Sequence, residues 1–465
     1  MARLQLQPTV TIAPAPAAWS AALGARATPL DSLAARTRVE LGLPTDGPVV
    51  LSGHQAAFWH AGIVAKWLAL GLLEARGAAI GWVVVDQDPE DLSVLRYPAA
   101  EGGGWKSQRW AVAPEAISRA LAADCAPARL GAFEPTAVPE TAGDLASVGE
   151  GLAAMRAALL ARRGAASAAE QVARATADLL KPLGPTPRLV WATALARTAG
   201  FGWLLEQMRR DPMGCVKAYN AAVGRRPGAR VVLLRADAER GRAEMPLWTI
   251  NPSSGARGRI WSDELATADI TRLAPRGLAM TAFLRLFACD LFIHGLGGAG
   301  SDGRGGYDAV TADWIGAWLA KPLALTATVT GTLLLPLSDH APVTDAQLSR
   351  ARWSAHHARH SPKLLAEPGA EAAKQALVAL LAKRRRPRAE RSELFSHLHV
   401  LLGDVRAAHG PQLVALAAHA DALEARRHED AVAADRTWPF PLHSSAALTA
   451  LRERLAFVMR IGAGA

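Results

Sequence analysis

The chain has 465 residues, of which half are hydrophobic and a fifth are charged. This length is enough for two or three domains, and the composition is that of a globular protein, which excludes a largely disordered chain. The formal net charge of +10 suits anionic partners. However, the positive charge is scattered except at Lys383–Arg388, and no basic motif interleaved with aromatic residues accompanies that run. We therefore do not expect a nucleic-acid-binding protein.

The cysteine pattern and the hydropathy indicate the cellular compartment in which we expect the protein. Cys125, Cys215 and Cys289 are too widely spaced for a disulfide framework or a CxxC motif, a usage typical of a reducing compartment. Prolines interrupt the N-terminal region, which therefore lacks the apolar core of a signal peptide. The most apolar windows all carry charged residues, so we expect a cytoplasmic protein without a membrane span.

A strand–helix–strand pattern follows an N-terminal segment of about 45 residues. Val49–Leu51 predicts a strand that ends at the polar residues Ser52–Gln55. Residues from about His60 to Arg76 predict a helix, and Ala78–Val85 predicts a second strand that ends at Asp86–Asp88. This is a βαβ unit, and ligands of open α/β sheets bind where such strands end.

The middle of the chain alternates helical and extended patterns. Residues 114–187 predict a helical insertion. On either side of this insertion, the patterns predict strands at Trp105–Val112, Arg188–Leu195 and Val231–Ala236. They also predict helices in Gly200–Val223 with a break at Pro212, and a hairpin of Pro246–Ile250 and Gly258–Trp261.

An apolar run and a glycine-rich loop follow. Leu278–Phe292 is strongly apolar and leads to His294–Gly300, which contains the pattern GxGxxG. A dinucleotide fingerprint requires a helix that starts inside this motif, whereas here the loop Ser301–Gly306 intervenes before Tyr307 and Asp308. We interpret the segment as a different ligand loop at a strand end. Val310–Leu319 predicts a helix, and Leu323–Leu337 is rich in β-forming residues.

The character of the chain changes after residue 345. A series of Ala/Leu-rich amphipathic helices with charged outer faces is predicted at Asp345–His360, Glu371–Lys383, Arg388–His409 and Pro411–Ala433. This pattern is typical of an antiparallel helical hairpin or coiled-coil arm, which we place at residues 346–435. Residues 1–345 would form the α/β core, and residues 436–465, with a helix at Ser444–Met459, would return to it.

Gly53, His54 and Gln55 are the first candidates for a functional site. Gly53 would let the backbone approach a ligand, and His54 could contact a phosphate or act as an acid or base at the start of the helix. Nucleotidylyl-transferring Rossmann-like enzymes use a Gly-His pair at such a turn. The alternative is that Ser52 merely caps the helix and that His54 is a packed histidine.

The acidic cluster and the arginines are the second group of candidates. Asp86 or Asp88 could bind an amine or ribose or accept a proton, or could simply cap a turn. The histidines His54 and His60 could join them around a metal ion, but their spacing matches no tight motif, so we predict no metal. Arg276, at the start of the apolar run, could bind phosphate or carboxylate or pair with a structural acid.

The βαβ unit, with SGHQAAFWHAGIVAKWLAL and then GWVVVDQDPEDL, resembles the cysteine-adding ligase family of bacillithiol biosynthesis. Gly53-His54-Gln55 stands for that family's Gly-Gln-Gln turn, Lys66 for its helix lysine, and Asp86-Gln87-Asp88 for its Glu-Asp-His-Asp cluster. Residues 275–292 followed by HGLGGAG and Tyr307-Asp308 resemble its arginine-containing strand and its glycine-rich loop. The departures at His54, Gln87 and the loop indicate a divergent subfamily.

The resemblance implies a Rossmann-like parallel-sheet core with helical insertions, an arm that forms a homodimer, and a nucleotide such as ATP or ADP as cofactor. It implies a ligase that joins an amino acid or amine to a small sugar-like acceptor. The catalytic candidates are His54, Asp86 and Asp88. The ligand-binding candidates are Ser52, Gly53, Gln55, His60, Lys66, Arg276, His294, Gly297, Gly298, Tyr307 and Asp308. The alternatives are a nucleotidylyltransferase and a non-catalytic dimeric scaffold.

Overall fold

The computed structural model describes residues 7–24, 30–90, 92–102, 104–141, 145–237, 239–299, 306–338, 341–383 and 386–461. Gly300 and most of the predicted loop Ser301–Gly306 lie outside these residues, as do two arginines of Lys383–Arg388. The chain divides into two compact units. We call residues 5–99, 107–335 and 436–465 the sheet unit, and residues 100–106 and 336–435, with the first four residues, the helical unit.

A mixed α/β architecture is built on one mostly parallel sheet of six strands. Its strands are β1 (Thr9–Ala13), β2 (Val49–Gln55), β3 (Ala79–Val85), β6 (Arg188–Trp191), β11 (Leu291–His294) and β12 (Leu325–Thr332). Their order is β1-β12-β11-β2-β3-β6, in which only β1 runs antiparallel to its neighbour. The predicted βαβ unit is confirmed, since β2 and β3 are adjacent and parallel.

Smaller sheets account for the other strands. They are β4 (Val94–Glu101), β5 (Gly104–Ala111), β7 (Ala236–Asp237), β8 (Arg242–Ile250), β9 (Arg257–Trp261) and β10 (Leu273–Pro275). Strands β4 and β5 pair with each other, and β8 pairs with β7, β9 and β10. The predicted hairpin is confirmed as β8 and β9. Its turn is stabilised by the side chain of Asn251, which accepts hydrogen bonds from the backbone of Ser253 and Ser254.

Helices cover the sheet and fill the connections. Those of the sheet unit are α1 (Pro16–Gly24), α2 (Ser32–Glu40), α3 (Ala61–Glu74), α4 (Glu115–Ala122), α5 (Ala146–Ala161), α6 (Ala168–Leu180), α7 (Ala192–Leu195), α8 (Ala199–Arg210), α9 (Pro212–Arg225), α10 (Ser262–Leu265), α11 (Gly277–Phe283), α12 (Leu296–Ala299), α13 (Tyr307–Leu319) and α18 (Ser445–Ile461). No helix in the described ranges is long and apolar enough to cross a membrane.

Helix α3 joins β2 to β3 and is almost fully buried. Ten of its fourteen residues are buried, because its sequence AGIVAKWLALGLLE is apolar on nearly every side. Trp67 on α3 packs with Trp59 and Trp82, and the ring centres of this tryptophan cluster lie 4.5–5.7 Å apart. The cluster fixes α3 against the sheet just below the polar ends of the strands.

Two strand predictions were wrong, and a third, Arg188–Leu195, was right only for its first half, since Ala192–Leu195 forms α7. Most of the apolar run Leu278–Phe292, which we compared with an arginine-containing strand, forms α11 and a π-helical turn at Leu284–Ala288, and only β11 at its end is extended. A short apolar run alone does not distinguish a buried helix from a strand. In Val231–Ala236, only Ala236 lies in a strand, and Val232 and Leu233 are exposed.

The helical unit contains α14 (Asp345–His357), α15 (Pro368–Leu381), α16 (Arg388–Ala408) and α17 (Gly410–Ala433). Helix α14 packs on α17, and α15 packs on α16. A small core of Ala358, Leu365 and Leu413 holds them together. Within the described residues, α15 and α16 bury no side chain, so this unit has far more exposed helix surface than core.

Candidate functional site

The carboxyl ends of three neighbouring strands meet at one edge of the main sheet. Strand β2 lies between β11 and β3, with Ile293 beside Ser52 and Val85 beside Gln55. Residues that follow these strands therefore lie side by side, as is usual for ligand sites in parallel α/β sheets. We call this edge, with the side chains described below, the candidate site.

The first turn differs from the predicted one. Ser52–Gln55 do not begin a helix but form the last four residues of β2, because their pairing with β3 continues to the end of both strands. Helix α3 begins only at Ala61, and His60 is its N-cap, with Nδ1 accepting a hydrogen bond from the Gly62 amide at 3.1 Å. The predicted anion site at a helix start at Gly53–Gln55 was therefore wrong.

Ser52 and Gly53 hold the sheet together. The Ser52 side chain is fully buried, and its hydroxyl donates a hydrogen bond to the Ile293 carbonyl at 2.7 Å. A Cβ atom at Gly53 would lie 2.5 Å from the backbone oxygen of Val83 on the neighbouring strand. The roles predicted for both residues as ligand contacts are thus replaced by roles in strand packing.

Lys66 is a buried amine at this edge. It is 3% exposed, its Nζ donates a hydrogen bond to the Gly53 carbonyl at 2.6 Å, and Nζ lies 5.2 Å from the centre of the Trp82 ring. Burial lowers its pKa from 10.5 to about 7, although the negative charge of Asp308 acts in the opposite direction. Lys66 can therefore take up or release a proton near neutral pH.

His54 lies beside Lys66 and stays neutral. Burial, followed by the charges of Lys66 and His60, lowers the pKa of His54 to about 3. Its Nδ1 atom is buried without a hydrogen-bond partner in the described part of the chain. A neutral imidazole with an unused nitrogen can bind a ligand group, but it holds no proton to donate as an imidazolium at neutral pH.

His294 and Asp308 form a buried pair across from His54. Nδ1 of His294 lies 2.6 Å from Oδ1 of Asp308, and both side chains are at most one-tenth exposed. The ring of Tyr307 meets the ring of His294 edge-on, with 4.9 Å between their centres. A Cβ atom at Gly298 would lie 2.7 Å from His294 and 2.7 Å from Asp308. The absence of a side chain at Gly298 thus lets α12 approach the pair, whereas Gly297 is exposed.

Asp86 does not serve as a free carboxylate. Its two oxygens accept hydrogen bonds from the backbone amide and the hydroxyl of Thr193, at 2.9 and 2.6 Å. Burial raises the pKa of Asp86 to about 6, and the bonds from Thr193 oppose that shift. Asp86 anchors the start of α7, so its predicted catalytic role is not supported by its contacts.

Asp88 and Arg276 belong to a charged network around Trp248. Asp88 accepts a hydrogen bond from Gln55 at 3.1 Å and pairs with Arg257 at 3.2 Å. Arg276 pairs with the buried Glu244 at 2.7 Å, and its guanidinium lies 3.9 Å from the centre of the Trp248 ring. Of the two roles considered for Arg276, the structure therefore shows the ion pair with a structural acid.

The structure therefore assembles part of the predicted set. His54, Lys66, Tyr307, His294 and Asp308 converge at the edge of β2 and β11. Gln55, Asp88 and Arg276 lie in the separate network around Trp248. In the described residues, no group of three or more His, Cys, Asp or Glu side chains could hold a metal ion.

Known proteins give no further identification. Neither a protein family nor a curated protein matches this chain. The site must be interpreted from its own residues.

Two cavities of about 290 Å³ lie elsewhere in the sheet unit. One is lined by Trp67, Glu74, Pro185 and Arg452 near the end of α3, and the other by Trp19 and the residues around it. None of the predicted site residues lines either cavity, although Trp67 and Leu68, which follow Lys66 on α3, line the first one. The candidate site therefore depends on its polar groups and their placement at the sheet edge, and not on cavity size.

Sequence reasoning missed three members of the network around Trp248, namely Arg257, Trp248 and Glu244. Arg285 is buried and donates hydrogen bonds to the carbonyls of Ala324 and Asp308, which fixes the backbone at the start of α13. A buried arginine on an apolar helix was the only signal in the sequence, and it did not reveal which backbone segment it would hold.

Proposed function

We propose that this chain is an enzyme with a Rossmann-like core that joins an amino acid or amine to a small sugar-like acceptor. The observation that carries the proposal is Lys66, a buried amine whose pKa of about 7 places its proton exchange near neutral pH, next to the His294–Asp308 pair. Strongly shifted groups that converge at a strand edge are typical of catalytic sites.

Each residue of the site has a role in the proposed reaction. In the proposed reaction the amine attacks a carboxyl carbon that ATP has activated, and the carbon–nitrogen bond forms as the bond from that carbon to the activating phosphate or nucleotide group breaks and the group leaves. The attack needs an unprotonated amine, and the neutral form of Lys66 accepts the proton that the ammonium must lose. The charge of Asp308 holds the ring of His294 in place. His54 stays neutral, so it adds no positive charge beside Lys66. ATP or ADP is the proposed cofactor, on the resemblance alone.

A condensation assay tests this function. The full chain is incubated with ATP, a set of amino acids that includes cysteine, and an amino sugar, and the products are identified by mass spectrometry. We expect a condensation product that forms with the wild type and falls by about 10²–10⁴-fold with Asp308→Asn, because the substitution removes the charge that orients His294. Asp313→Asn on the same helix, which removes a surface pair with Arg226, is the matched control and should retain activity.

Other outcomes of the assay contradict the proposal. Release of pyrophosphate with a nucleotidylated product would identify a nucleotidylyltransferase instead. If no substrate class raises the melting temperature of the wild type and no product forms, the scaffold alternative is favoured, since a ligand that binds only the folded state must stabilise it.

We also propose that the helical unit forms a homodimer as a coiled-coil-like arm in a cytoplasmic protein. Its exposed side chains include Val378, Phe395, Val400 and Val414, all between 41% and 68% exposed. Exposed apolar residues on these helices favour a partner surface of the same kind, and α15 and α16, which carry Val378, Phe395 and Val400, bury no side chain among the described residues.

Light scattering tests the dimer. We expect the wild type at twice the mass of one chain and Phe395→Glu at the mass of one chain, because a buried charge would oppose association. Arg163→Glu, at an exposed position of the sheet unit, is the control and should stay dimeric. A wild type that is monomeric at micromolar concentration would contradict the proposal.

A further inference from the structure

The outer face of α14 combines positive charge with aromatic rings. Leu348 and Ala351 on α14, and Ala358 just after it, are buried toward the rest of the helical unit. Because residues three and four apart share one side of a helix, Arg350, Trp353, His356 and His357 share a side of α14 that does not carry Leu348 and Ala351. We define the outer face as these four exposed residues together with Arg359 and His360, which are exposed in the turn that follows the end of α14 at His357.

The positive charge of this outer face is mostly uncompensated. Within the described ranges of the chain, Arg350 and Arg359 have no ion pair. Two acids of the unit are already paired, Glu424 with Arg352 and Asp345 with Arg427. An anion that approaches the outer face therefore meets two available guanidinium groups.

The rings of the outer face form a stack. Trp353 is 50% exposed, and the ring of His357 lies 4.6 Å from it at an angle of 21°, a stacked geometry. Nδ1 of His357 lies 2.9 Å from the Trp353 carbonyl oxygen, which fixes the ring of His357. The rings of His356 and His360 extend this stack only by edge-on contacts, at 5.0 Å and 75° between His356 and His357 and at 5.9 Å and 63° between His356 and His360.

Neighbouring helices of the same unit add positive charge. Burial lowers the pKa of His360, and so do the positive charges of His356, Arg406, His357 and Lys374. Arg406 and Lys374 come from α16 and α15, so cations from three helices surround the ring stack. Lys374 is the one of these that has an acid nearby, Glu371 at 3.7 Å.

We propose that the outer face of α14 binds single-stranded nucleic acid, with Trp353 stacking on a base and Arg350 and Arg359 contacting phosphates. Stacking platforms flanked by cations are the usual means of binding single strands, since every base offers an aromatic face. An acidic peptide would use the charges but not an exposed tryptophan. The sequence analysis predicted a helix here but no nucleic-acid motif, because the pattern RARWSAHHARH does not show which of its side chains are exposed in the folded unit.

Fluorescence anisotropy with a labelled 15-nucleotide single-stranded RNA tests the proposal on the full chain. We expect Trp353→Ala to weaken binding by about 10-fold, which is the usual effect of losing one stacked base. We expect Arg350→Ala combined with Arg359→Ala to reduce the slope of log K against log salt by about 1.4, since each phosphate contact on a single strand contributes about 0.7. Phe457→Ala and Arg163→Ala, on exposed positions of the sheet unit, are the matched controls.

Competitors separate this proposal from its alternatives. Polyglutamate that displaces the RNA at equal charge would show that the outer face recognises negative charge alone, and would overturn the proposal. Binding that survives Trp353→Ala but is lost in Lys383→Ala combined with Arg386→Ala would assign it to the basic run instead. Circular dichroism of each variant establishes that the helices remain folded.

Discussion

Replacing Lys66 with methionine is expected to abolish most turnover and at the same time to stabilise the fold. Loss of the proton acceptor should reduce the rate of condensation by about 10²–10⁴-fold. The gain in stability follows from burial: holding a lysine at a pKa of about 7 in the folded state costs on the order of 4 kcal/mol at pH 7. The substitution also removes the hydrogen bond to Gly53, and this loss offsets about 1–3 kcal/mol of the gain. The free energy of unfolding should therefore rise by about 2 kcal/mol.

The same group gives the wild type a characteristic pH dependence. The pKa of Lys66 is about 7 in the folded chain and near 10.5 in the unfolded chain, so the unfolded chain binds more protons between these values. The contribution of Lys66 therefore makes the wild type more stable as pH rises from 7 to 10.5, and has no slope below pH 7. In Lys66→Met this part of the slope should disappear.

Denaturant unfolding between pH 6 and 10 measures both effects. Lys181→Met is the control, because Lys181 is 59% exposed and pairs with Asp178 at the surface, where such pairs contribute little. If Lys66→Met retains full turnover, Lys66 is not the proton acceptor. If it is destabilised instead, the amine stabilises the fold and the cost assigned to its burial is wrong.

The largest loss of stability is expected from Asp290→Ala. One oxygen of Asp290 accepts a hydrogen bond from Arg38 at 3.0 Å, and the other accepts one from the backbone amide of Val49 at 2.7 Å. The Arg38 side chain is 1% exposed, so the substitution leaves a guanidinium without this charge in the core. Removal of one partner of a buried pair costs about 3–5 kcal/mol.

Chemical denaturation of two further variants identifies the cause. Asp290→Asn keeps an acceptor for the Val49 amide and should lose less stability than Asp290→Ala. Glu206→Ala, which breaks an exposed pair with Arg210 on α8, should change the free energy of unfolding by less than about 1 kcal/mol. Equal effects of Asp290→Ala and Glu206→Ala would show that burial of the pair contributes nothing.

Local patterns predicted much of the fold. The βαβ unit, the hairpin at Asn251–Gly255, the break at Pro212 and the helices after residue 345 were all visible, because periodicity and turn residues are local properties. The helical structure of residues 278–288 was not visible, because an apolar segment that is buried on all sides can have the same composition whether it forms a helix or a strand. The pairing of β1 with β12 joins distant segments and left no local signal.

The candidate site was predicted in position better than in detail. His54 and His294 could be placed at strand ends from the sequence, Lys66 on the helix between the two strands of the βαβ unit, and Asp308 after the glycine-rich loop. The sheet order places the strands of His54 and His294 side by side. Asp86 was assigned the wrong role because its partner Thr193 lies 107 residues away. Whether a carboxylate is free or occupied depends on such distant contacts, which no spacing in the sequence reveals.

The strand order also determines when each strand can pair during translation. Strand β2 emerges early, but its neighbour β11 lies about 240 residues later in the chain, so one edge of β2 has no partner for roughly 10–50 s at usual rates of translation. Strand β1 waits even longer for β12. The nascent chain therefore exposes an apolar strand edge on the ribosome, and we expect its yield in cells to depend on chaperones that shield that edge until β11 inserts.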